Sequence, residues 1–184
     1  VIQGASGSEV TAVPDPGYHF VDWSDGKTDA SRTDTNVQEN INVTANFAIN
    51  QYIANYSAGT GGSILGQATQ SVIHGMNTLL VTAVPDPGYY FVNWSDGITT
   101  PVRMDINLQG DINVTANFEP VGYTVTYTAG ANGSITGTAL QTVIQGSSGS
   151  EVTAVPDPGY HFVNWSDGKT TASRTDINVQ GNIN

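Results

Sequence analysis

Cysteine is absent from the 184-residue chain. That excludes disulfide staples, thiolate metal centres and a cysteine nucleophile. Charge is also scarce: Asp, Glu, Lys and Arg make up 11% of residues, and five basic side chains face sixteen acidic ones, for a net charge of −11. Lys27, Lys169, Arg32, Arg103 and Arg174 are spread along the whole chain and build no basic patch. Nucleic acid is therefore disfavoured as a partner, and so is attraction to an anionic membrane surface. No window carries a 3.6-residue apolar pattern of useful length, and no apolar run is long enough for membrane insertion in this segment. No signal peptide or sorting tail is visible.

What is present is a repeat. PDPGYHFVDWSDG at 14–26 returns as PDPGYYFVNWSDG at 85–97 and PDPGYHFVNWSDG at 156–168, and Trp23, Trp94 and Trp165 recur every 71 residues. A fixed period of this size points to tandem architecture before any site is considered. Val1–Asn42 and Val143–Asn184 differ at only five positions, while the middle copy diverges, reading VIHGMNTLLVTAV where the first reads VIQGASGSEVTAV. The units are read as 1–50 (lacking a first hairpin), 51–122 (complete) and 123–184 (lacking a last strand). A unit this small is marginal alone, so stacking against neighbours should stabilise it.

The units read as β throughout. INVTANF (41–47 and 112–118) alternates strictly and puts Ile41, Val43, Ala45 and Phe47 on one face; YTVTYT (123–128) does the same with Tyr123, Val125 and Tyr127. MDINL (104–108) is expected to turn Met104, Ile106 and Leu108 inward and to leave Arg103, Asp105 and Asn107 outward. Six strands are expected in the complete unit, at 52–57, 62–66, 79–84, 89–94, 102–108 and 112–118. AINQ (48–51) and EPVG (119–122) read as four-residue connectors. In PDPG, Pro16 presets φ and Gly17 accepts a positive φ, as a type II turn requires. Phe20 and Trp23 lie three apart, so a bulge near Val21 is needed to bring both inward. Ser24-Asp25-Gly26 reads as the next hairpin turn.

The functional readings of these residues can be weighed. The core is expected to consist of Tyr18, Phe20, Trp23, Phe47, Tyr89, Phe91, Trp94, Phe118, Tyr160, Phe162 and Trp165; the alternative for the tryptophans is a sugar-stacking platform. Asp15, Asp25 and Asp34 and their counterparts (Asp86, Asp96, Asp105; Asp157, Asp167, Asp176) are too scattered for calcium, which wants several clustered carboxylates. No metal or cofactor is expected. His19, His74 and His161 do not share one position across the copies, so no catalytic triad and no enzyme activity is expected. Ile98 interrupts the Lys27/Lys169 position, which excludes a lysine crosslink common to all units. Asn-x-Ser/Thr triplets at Asn42, Asn55, Asn93, Asn113, Asn132 and Asn164 are glycan acceptors if the host glycosylates its surface proteins.

The YTVTY strand, the Gly-rich turn, GSI, EVTAVPDPGYxFVNWSDG and the closing INVTANF resemble, in that order, the divergent internalin-B-type B repeat of the wider Listeria–Bacteroides repeat group. The resemblance spans almost the whole chain. It implies an all-β fold, with small β-grasp-like or sandwich modules in an elongated tandem array, and a place in secreted or cell-surface proteins. It carries no catalytic residues. The expected function is the shaft of an extracellular stalk or filament, packed head-to-tail with itself; the alternative is an adhesin-type module for a host protein or glycan, though nothing in the sequence names a ligand. The two partial units are expected to be completed head-to-tail, by continuation of the same chain or by strand donation from a neighbouring subunit.

Overall fold

The computed structural model describes residues 1–184 and consists of strands and turns without a helix. The first repeat contributes β1 (Val10–Thr11), β2 (Tyr18–Trp23), β3 (Ser31–Arg32) and β4 (Ala45–Ile49). The second contributes β5 (Gln51–Ala58), β6 (Gly62–Leu65), β7 (Thr69–Ile73), β8 (Val81–Pro85), β9 (Tyr89–Trp94), β10 (Val102–Arg103) and β11 (Ile112–Pro120). The third contributes β12 (Gly122–Thr126), β13 (Gly133–Gly137), β14 (Leu140–Ile144), β15 (Val152–Pro156) and β16 (Ser173–Arg174).

The chain forms two compact units whose limits run through the second repeat. The first unit (Val1–Ser57, Leu65–Thr82 and Val102–Val114) holds the sheets β1-β3 and β2-β4, the antiparallel pair β7-β5 with the start of β11, and β10 against the start of β8. The second (Ala58–Ile64, Ala83–Pro101 and Thr115–Asn184) holds β9 against the rest of β11, β6 against the end of β8, and the sheets β12-β14 and β13-β15-β16.

Alternation decides most of these strands. Val114 and Ala116 of β11 are buried while Asn113 and Asn117 face solvent, and Val125 and Tyr127 are buried while Thr124 and Thr128 are not. In the third repeat Val125, Tyr127, Val143, Val152, Trp165 and Val179 form one cluster, with Tyr123, Ile135, Phe162 and Ile183 packed against it. The bulge lies at Val21: Phe20 pairs with Phe47 and Asp22 with Asn46, so Val21 is the extra residue. The second repeat repeats it at Val92, between the pairs Phe118–Phe91 and Asn117–Asn93. One inserted residue turns both the Phe and the Trp inward.

Four expectations are corrected. First, β7 and β14 are additional strands. TQSVI reads as polar, but its inward positions are Gln70 and Val72. The buried Gln70 amide donates to the carbonyls of Gln67 and Leu79 and accepts from the Leu79 N–H, so a satisfied amide occupies a core position. Gln141 does the same with Thr138 and Ser150.

Second, the strand expected over 102–108 ends at Arg103, and its faces are reversed. Arg103 is buried and Met104 and Ile106 are exposed, because Arg103 is anchored to Asp105 and Asn107 takes a positive φ of 53°, which breaks the alternation; only Leu108 stays inside. Third, the connectors are not four residues long: Asn50 alone separates β4 from β5, and Val121 alone separates β11 from β12.

Fourth, three expected core aromatics lie outside: Tyr18 is 46% exposed, Phe47 41% and Tyr160 58%. In the second repeat, hairpin glycines close over these positions; a Cβ on Gly61 would strike the Tyr89 ring and one on Gly62 the Phe118 ring. No residue of the chain stands in for that hairpin over Tyr18 and Phe47. The segment at Tyr160 has no strand paired to it in the way β11 pairs with β9.

Trp94 is fully buried and packs 6.0 Å from Phe91. Trp94→Ala should therefore lower stability by about 3–5 kcal/mol, the range for large aromatics in cores. Chemical denaturation followed by far-UV circular dichroism measures this, and a loss below about 1 kcal/mol would mean that the indole is not a core element.

Candidate functional site

The PDPG turn starts each copy of the site. The Tyr18 N–H donates to the Asp15 carbonyl across Pro16-Gly17, with Gly17 at φ 82°. The following hairpin closes with Gly26 N–H donating to Trp23 C=O and Trp23 N–H to Lys27 C=O, Gly26 standing at φ 87°. This is a three-residue loop with a bulge glycine. The chain curls back so that each indole N–H meets a carbonyl six residues on: Trp23 to Asp29 (2.9 Å), Trp94 to Thr100 (3.0 Å) and Trp165 to Thr171 (2.9 Å). All three tryptophans are 8% exposed or less, which leaves little indole surface for stacking on a sugar.

Over this aromatic floor lies a buried arginine. The Arg32 guanidinium sits 5.0 Å from the Trp23 ring centroid, and that of Arg174 5.1 Å from Trp165 and 5.5 Å from Tyr127. Arg103 stands 5.8 Å from Tyr56. Arg32 donates through Nε (3.1 Å) and Nη2 (2.6 Å) to Asp34, and through Nη1 (3.1 Å) and Nη2 (3.0 Å) to Asp25. Arg174 grips Asp176 and Asp167 in the same manner. Planar fork-to-carboxylate pairing is the strong form of this contact, and Lys could not reproduce it. Lys27 and Lys169 add a further cation to Asp34 and Asp176. Of the aspartates weighed for calcium, Asp25 with Asp34 and Asp167 with Asp176 are thus drawn together by an arginine.

The electrostatics follow. Hydrogen bonds from Arg32, then Lys27, hold the Asp34 carboxyl at about 2. Burial works against ionisation of Asp176, but Arg174, Tyr127 and Lys169 together outweigh it and hold that carboxyl at about 2 as well. Burial, reinforced by the neighbouring carboxylates, pushes the Tyr56 and Tyr127 phenols up to about 12; their hydroxyls donate to Asp105 (2.6 Å) and Asp176 (2.7 Å). Sequence reasoning missed the arginines, although the signal was there: three of the five basic residues, Arg32, Arg103 and Arg174, fall at the 71-residue period, each two positions before an Asp.

The second feature is the junction between repeats. Asn50, the lone residue between β4 and β5, donates its N–H to the carbonyl of Gly17 and accepts at its own carbonyl from the His74 N–H, both at 2.8 Å. Val121 does the same with Gly88 (2.7 Å) and Gln145 (2.8 Å). The PDPG turn of one repeat is thereby tied through a single residue to the turn that follows β7 or β14 in the next. At the first junction the His74 ring rests on Gly17, where a Cβ would lie 2.3 Å from it; at the second, a Cβ on Gly88 would stand 3.9 Å from Gln145. His19 Nδ1 lies 2.8 Å from Asn50 Oδ1, and His74 stacks beside Tyr52. His19 and His74 thus serve the first junction, while His161 lies exposed in the third repeat.

Of the glycan-acceptor triplets, Asn42, Asn113, Asn132 and Asn164 are exposed. Asn55 and Asn93 are half-buried, with their amides hydrogen-bonded to Asn113 and Asn117. A groove of about 510 Å³ in the third repeat is lined by Tyr127, Ile135, Phe162, Trp165 and Ile183. No three His, Asp or Glu side chains converge in a metal-sized group.

A family model, the divergent InlB B-repeat domain, matches residues 1–51, 52–122 and 123–184. The chain belongs to that family. It consists of three InlB-type B repeats, a repeat module of surface and secreted proteins. No curated protein and no solved structure matches it. In B-repeat terms, the Trp and the Arg lie in the interior of each repeat, the PDPG turn lies at its surface, and the connector residue joins one repeat to the next.

Two outcomes follow. Gly17→Ala and Gly159→Ala both place a side chain at positive φ, at a cost of roughly 1–2 kcal/mol, but only the first also strikes a neighbour, since nothing lies within 4 Å of a Cβ on Gly159. Gly17→Ala should therefore destabilise the chain measurably more in parallel melts; equal losses would show that the His74 contact carries no weight. The ionisable groups set two pH windows. The depressed aspartates contribute stability fully above their ordinary value of 3.8, and lose it as pH falls towards 2. The raised tyrosines contribute fully below 10 and lose it as pH climbs towards 12. Denaturant midpoints should decline in both windows, and ultraviolet titration should resolve Tyr56 and Tyr127 as a late tyrosinate class.

Proposed function

We propose that this chain is a non-enzymatic structural segment: the shaft of an extracellular stalk or filament, built by head-to-tail packing of B repeats. The observation that carries this reading is the junction. The same two backbone hydrogen bonds recur, through Asn50 and through Val121, one repeat period apart. Because the connector is one residue long and both of its polar groups are used, no slack chain separates successive repeats, and each junction can serve as the template of the next.

The alternative is an adhesin-type module for a host protein or glycan; its glycan form is not favoured, because the tryptophans that would stack on sugar are buried. The test is electron microscopy of tandem arrays with increasing repeat number. Contour length should grow by a constant increment per repeat along a stiff rod, and melting temperature should rise with copy number before levelling off. Independently jointed beads, with a melting temperature indifferent to copy number, would sink the proposal.

A further inference from the structure

The middle repeat carries a surface its neighbours lack. Leu65, Met76, Leu79, Leu80, Val102 and Met104 are between 46% and 67% exposed. Where the other repeats have residues at the same positions, Thr136 answers to Leu65, Ala5 and Ser147 to Met76, Ser8 and Ser150 to Leu79, Glu9 and Glu151 to Leu80, Ser31 and Ser173 to Val102, and Thr33 and Thr175 to Met104. A polar or small side chain is replaced by a larger apolar one at all six.

The six belong together in the first unit. Val102 and Arg103 pair with Thr82 and Val81, so Val102 is outward where Arg103 and Val81 are inward, and Leu80, the residue before β8, is exposed as well. A Cβ on Gly66 would touch the Leu80 carbonyl, which puts Leu65 beside that strand. The loop carrying Met76 and Leu79 is laced to the segment after Met104: Thr78 N–H donates to Asp105 C=O, Leu108 N–H to Met76 C=O, and Gly75 N–H to Leu108 C=O.

We propose that this patch is a homotypic contact, at which two copies of the chain pair side by side through their middle repeats. Six such side chains exposed together approach the few hundred Å² at which an apolar patch marks an interaction site, and two copies of it approach the area of a small stable interface. The charge pattern selects the occupant. A chain of net charge −11 repels its own kind, and Leu80 stands in the patch where both sister repeats carry a glutamate, which lessens that repulsion where two copies would meet. A basic partner would instead gain from the carboxylate that Glu9 and Glu151 retain. One patch per chain gives a self-complementary two-fold contact that closes at a pair. It runs independently of the head-to-tail junctions, which lie at Asn50 and Val121.

Sedimentation equilibrium of the 184-residue chain tests this, alongside a variant carrying Leu79→Ser and Leu80→Glu, the residues of both sister repeats and hence compatible with the fold. The unaltered chain should dimerise at sub-millimolar concentration, more tightly as sodium chloride screens the acidic surfaces. The variant, shown to be folded by its melting curve, should bind itself at least about tenfold more weakly. A chain that stays monomeric at every salt concentration, a dimer unmoved by the two substitutions, or a patch that holds only another protein would each overturn the proposal.

Discussion

A guanidinium taken out of water must bring its counter-charges with it, or it destabilises what surrounds it. In this protein that requirement organises each repeat. Arg32 and Arg174 lie buried on a tryptophan, and Arg103 lies buried beside Tyr56. To satisfy Arg32 and Arg174, the hairpin turn supplies Asp25 or Asp167 and the strand end supplies Asp34 or Asp176. The turn after the Trp strand is therefore fixed by more than its own glycine, and the short strands β3 and β16 have a reason to end where they do. Removing the cation would leave carboxylates crowded around an aromatic floor; removing a carboxylate would leave a buried positive charge. Neither half is dispensable, and the arrangement returns at the 71-residue period.

The same economy governs the interior. A repeat of this size has little apolar volume, so it uses aromatic rings set edge-on or tilted: Phe20 with Trp23 and Phe47, Phe91 with Trp94 and Phe118, Phe162 with Trp165. Polar groups enter the core only when fully satisfied. Gln70 and Gln141 each make three hydrogen bonds to main-chain groups, and every buried side-chain nitrogen and oxygen has a partner.

These details explain what the sequence discloses and what it hides. The period, the all-β character, the PDPG turn and the bulge at Val21 are legible because each rests on local chemistry: alternation, a proline followed by glycine, and two aromatics at the wrong spacing. The reversed face of 102–108 is not legible, since the rule that apolar residues point inward fails when an arginine carries its own carboxylates into the core. The β7 strand hides behind a glutamine for the same reason. The exposure of Tyr18, Phe47 and Tyr160 is hidden differently: a residue's type says what it prefers to touch, not whether a neighbouring strand is there to touch it. The one-residue connector could not be read because its bonds run between main-chain atoms, which leave no trace in residue identity.

That last property has an evolutionary consequence. Asn50 and Val121 share no side-chain chemistry, yet make the same two bonds. A junction written in backbone atoms does not have to be re-matched when a repeat is gained or lost by recombination, and the connector position itself accepts side chains as different as Asn and Val. The number of repeats then becomes a trait that can change in whole-repeat steps without a new interface being invented. The near-identity of Val1–Asn42 and Val143–Asn184 is the kind of record that such copying leaves in a gene.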